Sequence, residues 1–134
     1  TTFQNDDHLF FSIAANTKYA GRFVLFVNDA ALGGGQGAIK VQFTGPASPT
    51  KVVFTSNAIS TGGTDIATVK AATAFSTSLN VIPTDSNTDH TVIIDFLIQN
   101  GANAGTLQLQ WAQQGSATAT TLYAGSYVDY QVVS

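Results

Sequence analysis

The 134-residue chain contains no cysteine, no methionine and no glutamate, so its eight acidic residues are all aspartate. The lack of cysteine excludes a disulfide framework, a thiol nucleophile and a cysteine-ligated zinc site. Charged residues make up 10% of the sequence, whereas about a quarter is usual. Because Glu, Lys and Arg favour exposed helix faces, their scarcity beside abundant Thr, Val, Ala, Gly and Ser predicts an all-β protein.

The charges that are present give a net charge of -3 and form no cluster of one sign. The five basic residues are scattered singly along the chain, so there is no basic stripe for a phosphate backbone. No apolar run approaches the roughly 18 residues that a membrane-spanning helix needs. We therefore expect neither nucleic acid nor membrane as a partner.

Apolar side chains recur at every second position in several segments, which is the period of a strand with one buried face. The clearest segments are residues 9–13, 19–27, 39–43, 92–98 and 107–111. The first two are apolar on both faces. In the last, Leu107, Leu109 and Trp111 alternate with Thr and Gln, which predicts a wet face without acid, base or nucleophile.

Turn-forming residues separate these segments, as in the Asn-Gly-Ala-Asn sequence at 100–103. About eight strands result, and no segment has the helical period that a parallel α/β fold needs for its crossovers. The sequence predicts a single antiparallel β-sandwich or jelly roll over residues 1–134, which could assemble as a TNF-like trimer. Residues 1–7 are predicted as a polar N-terminal arm, and a helical turn is one interpretation of residues 69–74.

Neither histidine has the surroundings of a catalytic group. His8 and His90 each follow an aspartate, Asp7 and Asp89, at the start of a predicted strand, where polar residues are ordinary. No nucleophile motif accompanies them.

Residues 85–89 place oxygen ligands at alternate positions but lack the glycine and the distal glutamate of a calcium loop. We expect no enzyme activity, no cofactor and no metal.

Two further residues allow more than one interpretation. Trp111 could stack on a sugar, but its phase with Leu107 and Leu109 favours a core position. Asp95 interrupts an apolar strand, and its position opposite Ile94 and Phe96 favours an outward orientation; an inward carboxylate would need a partner such as Arg22.

Exposed aromatic residues are the best candidates for an interface. Tyr123, Tyr127 and Tyr130 cluster near the C-terminus, and tyrosine combines a large contact area with a polar tip. Phe10 lies on the second face of a strand that is apolar on both sides. We predict these four residues as contacts to other subunits or to a capsid. For the three tyrosines, positions at the edge of the core are the alternative.

Five segments taken together resemble a known class of proteins. They are DDHL at 6–9, AANTKY at 14–19, IKVQFTGP at 39–46, LQWAQ at 109–113 and AGSY at 124–127. In this order they resemble small β-rich virion structural proteins of tailed bacteriophages and prophages, of the head-decoration or tail-fibre kind. The resemblance implies no catalytic residues.

The function that this resemblance implies is mechanical. We expect a capsid decoration (cement) protein that is made in the host cytoplasm and stabilises the head by binding its outer surface. Its partners would be the major capsid protein and copies of itself in a homotrimer. The alternative is a tail-fibre or head-fibre module that binds a receptor or carbohydrate through loops such as residues 28–37 and 83–89.

Overall fold

The computed structural model describes residues 2–29, 39–58, 70–81, 88–113 and 119–134. These residues form ten β-strands and no helix, so the predicted all-β class is confirmed. The strands are β1 (Gln4–Ile13), β2 (Lys18–Asp29), β3 (Ile39–Thr44), β4 (Lys51–Ala58), β5 (Lys70–Ala72), β6 (Leu79–Val81), β7 (Thr88–Gln99), β8 (Gly105–Gln113), β9 (Thr120–Leu122) and β10 (Tyr127–Val133).

The strands form two antiparallel sheets with the connectivity of a jelly roll. Sheet A has the order β1-β8-β3-β6, and sheet B has the order β10-β2-β7-β4-β5, with β9 also paired to β2. Strand β1 therefore pairs with β8, β2 with β7, β3 with β6, and β4 with β5. Strands β1–β4 thus fold back on β5–β8 as one long hairpin. Its successive strand pairs lie alternately in sheet A and sheet B, which is the arrangement of a jelly roll.

The inner faces of the two sheets carry the residues that the period-two pattern predicts. In β7, Val92, Ile94, Phe96 and Ile98 are buried, and the same alternation buries Leu107 and Leu109 in β8. Strand β2 contributes Tyr19, Phe23, Leu25 and Val27 to this core. The interior is therefore built from alternating positions of long strands, as expected for two sheets packed face to face.

A column of aromatic rings joins the two sheets through this core. Phe43 of sheet A is stacked on Phe54 of sheet B, with ring centroids 4.1 Å apart and planes within 8°. Phe23 and Phe96 extend the column, at 4.9 Å from Phe43 and 5.5 Å from Phe23, respectively. Such pairs add a geometric preference to the burial of their area, so they fix how the sheets sit on each other.

The first strand starts earlier than the sequence predicts. Gln4 and Asn5 pair with Trp111 and Gln110 of β8, so residues 4–7 are part of a strand and the predicted arm is wrong there. A bulge follows before the pairing resumes at Phe10. The Asp6 carboxylate accepts hydrogen bonds from the backbone N–H groups of residues 8 and 9, both at 2.9 Å, and so stabilises the bulge.

Two other features of sheet B do not follow from the period-two pattern. Residues 70–72, for which a helical turn is one interpretation of the sequence, form β5 instead, because β4 offers a partner for their backbone groups. The edge strand that pairs with β2 is interrupted between β9 and β10. Short strands of this kind have too few residues to display a period.

Removal of one ring of the aromatic column should destabilise the fold strongly. Phe43 is buried, and we expect Phe43→Ala to lower the free energy of unfolding by about 3–5 kcal/mol, because a cavity forms between the sheets. Phe26→Ala is the matched control, since the Phe26 ring is partly exposed on the outside of sheet B. Urea denaturation followed by tryptophan fluorescence measures both, and equal losses for the two variants would contradict the assignment.

Candidate interaction surfaces

The four aromatic residues predicted for an interface are all exposed, between 40% and 49% of each side chain, but they lie on three different surfaces. Phe10 lies on the outer face of sheet A. Tyr123 and Tyr127 lie on the outer side of sheet B. Tyr130 lies at the open edge between the sheets, so the structure does not bring the four residues together.

Tyr130 closes the edge of the sandwich between β1 and β10. Its ring is stacked on Phe11 of sheet A, with centroids 3.8 Å apart and planes within 12°. Gly21 of β2 makes this approach possible: a Cβ atom there would overlap the Asp129 carbonyl oxygen and lie 2.7 Å from the Tyr130 Cα. The alternative of a position at the edge of the core therefore describes Tyr130, although its outer side remains exposed.

The outer face of sheet B carries an apolar patch that the described residues leave uncovered. We call it the sheet-B surface; it comprises Ala20, Phe26, Val53, Ile93, Leu97 and Tyr127, together with Val24, which is buried on the same face. These residues alternate with the buried ones along β2, β4, β7 and β10. Phe26, Leu97 and Tyr127 are each more than a third exposed. Exposed apolar patches of this kind are typical of contacts between proteins.

One ion pair crosses the middle of the sheet-B surface. The Asp95 carboxylate accepts hydrogen bonds from Arg22 Nη2 at 2.9 Å and Nε at 3.1 Å, and both side chains are about half exposed. Asp95 therefore points outward, as its position in the strand predicts, and Arg22 is its partner on that side. Because exposed pairs add little to stability, the main effect of this pair is to neutralise charge within an apolar surface.

A shallow groove of about 490 Å³ runs beside this ion pair, between β2 and β10. Among the described residues, the Arg22 guanidinium and the carboxylates of Asp95 and Asp129 line this groove, next to Tyr130. None of these residues is a nucleophile with an adjacent base, so the groove has binding chemistry and no constellation for covalent catalysis.

Tyr123 is held in place by a hydrogen-bond network at the end of the sheet-B surface. Its hydroxyl donates to the Asp89 carboxylate at 2.9 Å, and the same oxygen accepts from Asn28 Nδ2 at 2.7 Å. These bonds lower the pKa of Asp89, the bond from Asn28 most, and the bond to Asp89 raises the pKa of Tyr123. The Ser126 hydroxyl accepts from the Phe26 N–H at 3.0 Å, where the edge strand is interrupted.

The structure separates the side chains of one of the two histidine–aspartate neighbours of the sequence. His90 is buried on the inner face of β7, whereas Asp89 lies on the outer face in the network with Tyr123. Adjacent residues of a strand point to opposite sides, so proximity along the chain separates them in space. Asp7 and His8 are both exposed on β1.

The outer face of sheet A is polar, as the Gln and Thr residues of β8 predict. Gln42 Nε2 donates to Gln110 Oε1 at 2.7 Å, and Gln110 Nε2 donates to Asn5 Oδ1 at 2.8 Å. We call these three side chains the amide ladder; it crosses β3, β8 and β1. Beside it, Gln108 Nε2 donates to the backbone oxygens of Asp6 and Leu109 at 2.9 and 2.8 Å. Phe10 pairs with Gln108 across the strands.

Trp111 faces the interior at one end of the sandwich. It pairs with Val41, which is fully buried, and its ring packs against the core while remaining partly exposed. A cavity of about 170 Å³ lies beside it, lined by Thr2, Gln4 and Gln113. The packing favours the core interpretation over the sugar platform.

The part of the chain that the structure describes contains neither a cluster of metal ligands nor a membrane-spanning helix. No group of three or more His, Cys, Asp or Glu residues is arranged there to hold a metal ion, and no helix is long and apolar enough to cross a membrane. The calcium-like sequence at 85–87 and the glycine run at 33–37 lie outside the described residues.

Comparisons of the chain with protein-family models, with curated proteins and with solved structures find no match. The functional interpretation therefore depends on the surfaces themselves. Sequence reasoning missed the contributions of Phe26 and Leu97 to the sheet-B surface and of Asn5 and Gln42 to the amide ladder. The signal for the first two was present, because residues 19–27 and 92–98 are apolar at both odd and even positions.

We expect Tyr123→Phe to raise the pKa of Asp89 towards its ordinary value, because one of the two donors to the carboxylate is removed. The network stabilises the fold where Asp89 is ionised, and this contribution is lost as the pH falls through the lowered pKa of the folded state. NMR titration of the Asp89 carboxyl measures the change. Tyr127→Phe is the matched control; an equal shift in both variants would contradict the assigned hydrogen bond.

Proposed function

We propose that this chain is a structural protein of a tailed-bacteriophage virion, a decoration protein that binds the outer surface of the capsid and contacts copies of itself. The observation that carries the proposal is the sheet-B surface, an apolar patch on a sheet face that the described residues leave uncovered. The jelly roll adds support by analogy, since viral capsid domains use this architecture. The resemblance of the five sequence segments supplies the phage setting and the trimer.

The chemistry of the sheet-B surface fits a partner of low charge. Arg22 and Asp95 in its centre neutralise each other. Asp129, the next carboxylate on this face, lies on the edge strand β10, so burial of the centre of the surface needs no charged partner. A second copy of a chain with only 10% charged residues meets that requirement. Tyr127 at the edge of the surface adds contact area with a polar tip, which is common at subunit interfaces.

Such a protein would act without a catalytic step. A ligand that binds only the assembled lattice stabilises the lattice by mass action, in proportion to how far its concentration exceeds the dissociation constant. Contacts that span neighbouring capsid subunits would therefore raise the resistance of the head to heat and to internal pressure. The described residues supply surfaces for such contacts in the sheet-B surface and in Tyr123 beside it.

Leu97→Lys should weaken self-association, because it places an uncompensated charge in the middle of the sheet-B surface. We expect the unmodified protein to form a trimer at micromolar concentration in multi-angle light scattering, and Leu97→Lys to shift it towards the monomer. Val132→Lys is the matched control, since Val132 is exposed on β10 outside the sheet-B surface. A monomer for the unmodified protein, or equal dissociation of both variants, would contradict a subunit contact through this surface.

Phage particles stripped of this protein should rupture at a lower temperature than complete particles. Re-addition of the protein should restore the rupture temperature in the presence of EDTA, because the proposed contacts need no divalent metal. A thermal-release assay of the packaged genome measures both effects. Stripped particles that are equally robust but fail to adsorb to host cells would instead favour the receptor-binding alternative.

A further inference from the structure

We propose that the outer face of sheet A is a binding site for a neutral oligosaccharide, with Phe10 as the stacking platform and the amide ladder as the hydrogen-bonding array. This site lies on the opposite side of the sandwich from the sheet-B surface, so the inference does not depend on self-association. It also differs from a receptor site in the loops, since it is formed by side chains of regular strands.

Phe10 is an isolated apolar group on a polar face. Its side chain is 48% exposed, and its neighbours across and along the strands are polar: Ser12, Gln108 and Thr44, the last paired with Gln108. An aromatic ring in this position contributes nothing to the core, because the inward residues of β1 are Leu9, Phe11 and Ile13. The electron-rich face of such a ring is suited to the polarised C–H groups of a sugar ring.

The amide ladder holds its hydrogen-bonding groups in fixed orientations. The bonds run in one direction, from Gln42 to Gln110 to Asn5, at 2.7 and 2.8 Å. Each side-chain amide has two N–H donors and two acceptor lone pairs, so these bonds orient the amides and still leave capacity for hydroxyl groups of a ligand. Because the side chains are ordered before binding, less conformational entropy is lost when a ligand is bound.

The charge and the width of the site define the ligand class. The side chains of Phe10, Gln108 and the amide ladder carry no ionisable group. The nearby Asp6 carboxylate, between Asn5 and Phe10 along β1, already accepts two backbone hydrogen bonds. This arrangement favours a neutral ligand over an anion or a cation. Lys40, further along β3, lies over the Phe3 ring at 5.5 Å from its centroid. Three neighbouring strands span about 10 Å, so the ligand must be extended and rich in both donors and acceptors.

These requirements fit a β-linked chain of gluco-configured sugars. In such sugars the ring hydroxyl groups are equatorial, so the C–H groups lie on the ring faces and the hydroxyl groups around the rim. One ring can then stack on Phe10 while the hydroxyl groups of the next residues reach Gln108 and the amide ladder. A protein partner would need more apolar contact than one ring offers.

Isothermal titration calorimetry with cellohexaose, laminarihexaose and chitohexaose tests the proposal on the full chain. We expect saturable binding of at least one of these probes, and a loss of affinity of roughly tenfold or more in Phe10→Ala, as for other stacking aromatic residues. Gln110→Ala should weaken binding as well, because it removes the middle of the amide ladder. A heparin hexasaccharide, which is highly charged, should not bind.

Tyr127→Ala is the matched control, because it removes an exposed aromatic ring from the opposite side of the sandwich. Its affinity should equal that of the unmodified protein, and melting curves of all variants verify that they are folded. The proposal is overturned by the absence of binding to all three neutral probes, by binding that survives Phe10→Ala, or by equal losses in Phe10→Ala and Tyr127→Ala. Selective binding of heparin would replace it with an electrostatic site. None of these results alters the light-scattering test of the sheet-B surface.

Discussion

The stacking of Phe43 on Phe54 is the contact on which the arrangement of the two sheets depends. One ring belongs to sheet A and the other to sheet B, and Phe23 and Phe96 continue the column on the side of sheet B. Sheets pack about 10 Å apart, a distance that large side chains from both faces fill together. Because aromatic pairs prefer defined offsets, the column restricts how one sheet can rotate or slide over the other.

Because the inner faces form the core, the residues of the two outer faces can differ in polarity. The inner faces supply most of the buried apolar area, so an outer residue is constrained mainly by solvent and by its cross-strand neighbours. The outer face of sheet A carries mainly glutamine, asparagine and threonine, whereas that of sheet B carries valine, isoleucine, leucine and aromatic residues among its polar ones. An apolar outer face costs solubility, whereas a polar one does not, so the difference between the two faces needs a functional explanation.

The parts of the fold that the sequence predicts are those where the period of two runs long enough to be read. Every second residue of 92–98 and of 107–109 is apolar without a gap, and these inward positions are buried as expected. Strands β5, β6 and β9 have three residues each, which is too short to show a period. Their existence depends on partners far along the chain, such as β4 for β5. The start of β1 was missed for the same reason, because Gln4 is a strand residue only through its pairing with Trp111.

The sequence indicates several of the surface residues individually, but it does not indicate which of them lie together on one surface. Tyr127 and Tyr130 are three positions apart in one strand and so belong to opposite faces. The register then decides what each meets: Tyr127 lies beside Val24, and Tyr130 lies over Gly21. The amide ladder is invisible in the sequence, because Asn5, Gln42 and Gln110 become neighbours only when β1 and β3 pair with β8.

The capsid or subunit contact through sheet B and the oligosaccharide site on sheet A are compatible, because they lie on opposite sides of the sandwich. If the sheet-B surface lies against neighbouring copies or against a capsid, the aromatic column separates that contact from the outer face of sheet A by the full thickness of both sheets. Phe10 and the amide ladder then point away from the contact, where an extended ligand has access. A protein with this arrangement can bind a capsid or another subunit through the apolar patch of sheet B. It then presents the polar outer face of sheet A, with Phe10, to ligands in the surrounding solution.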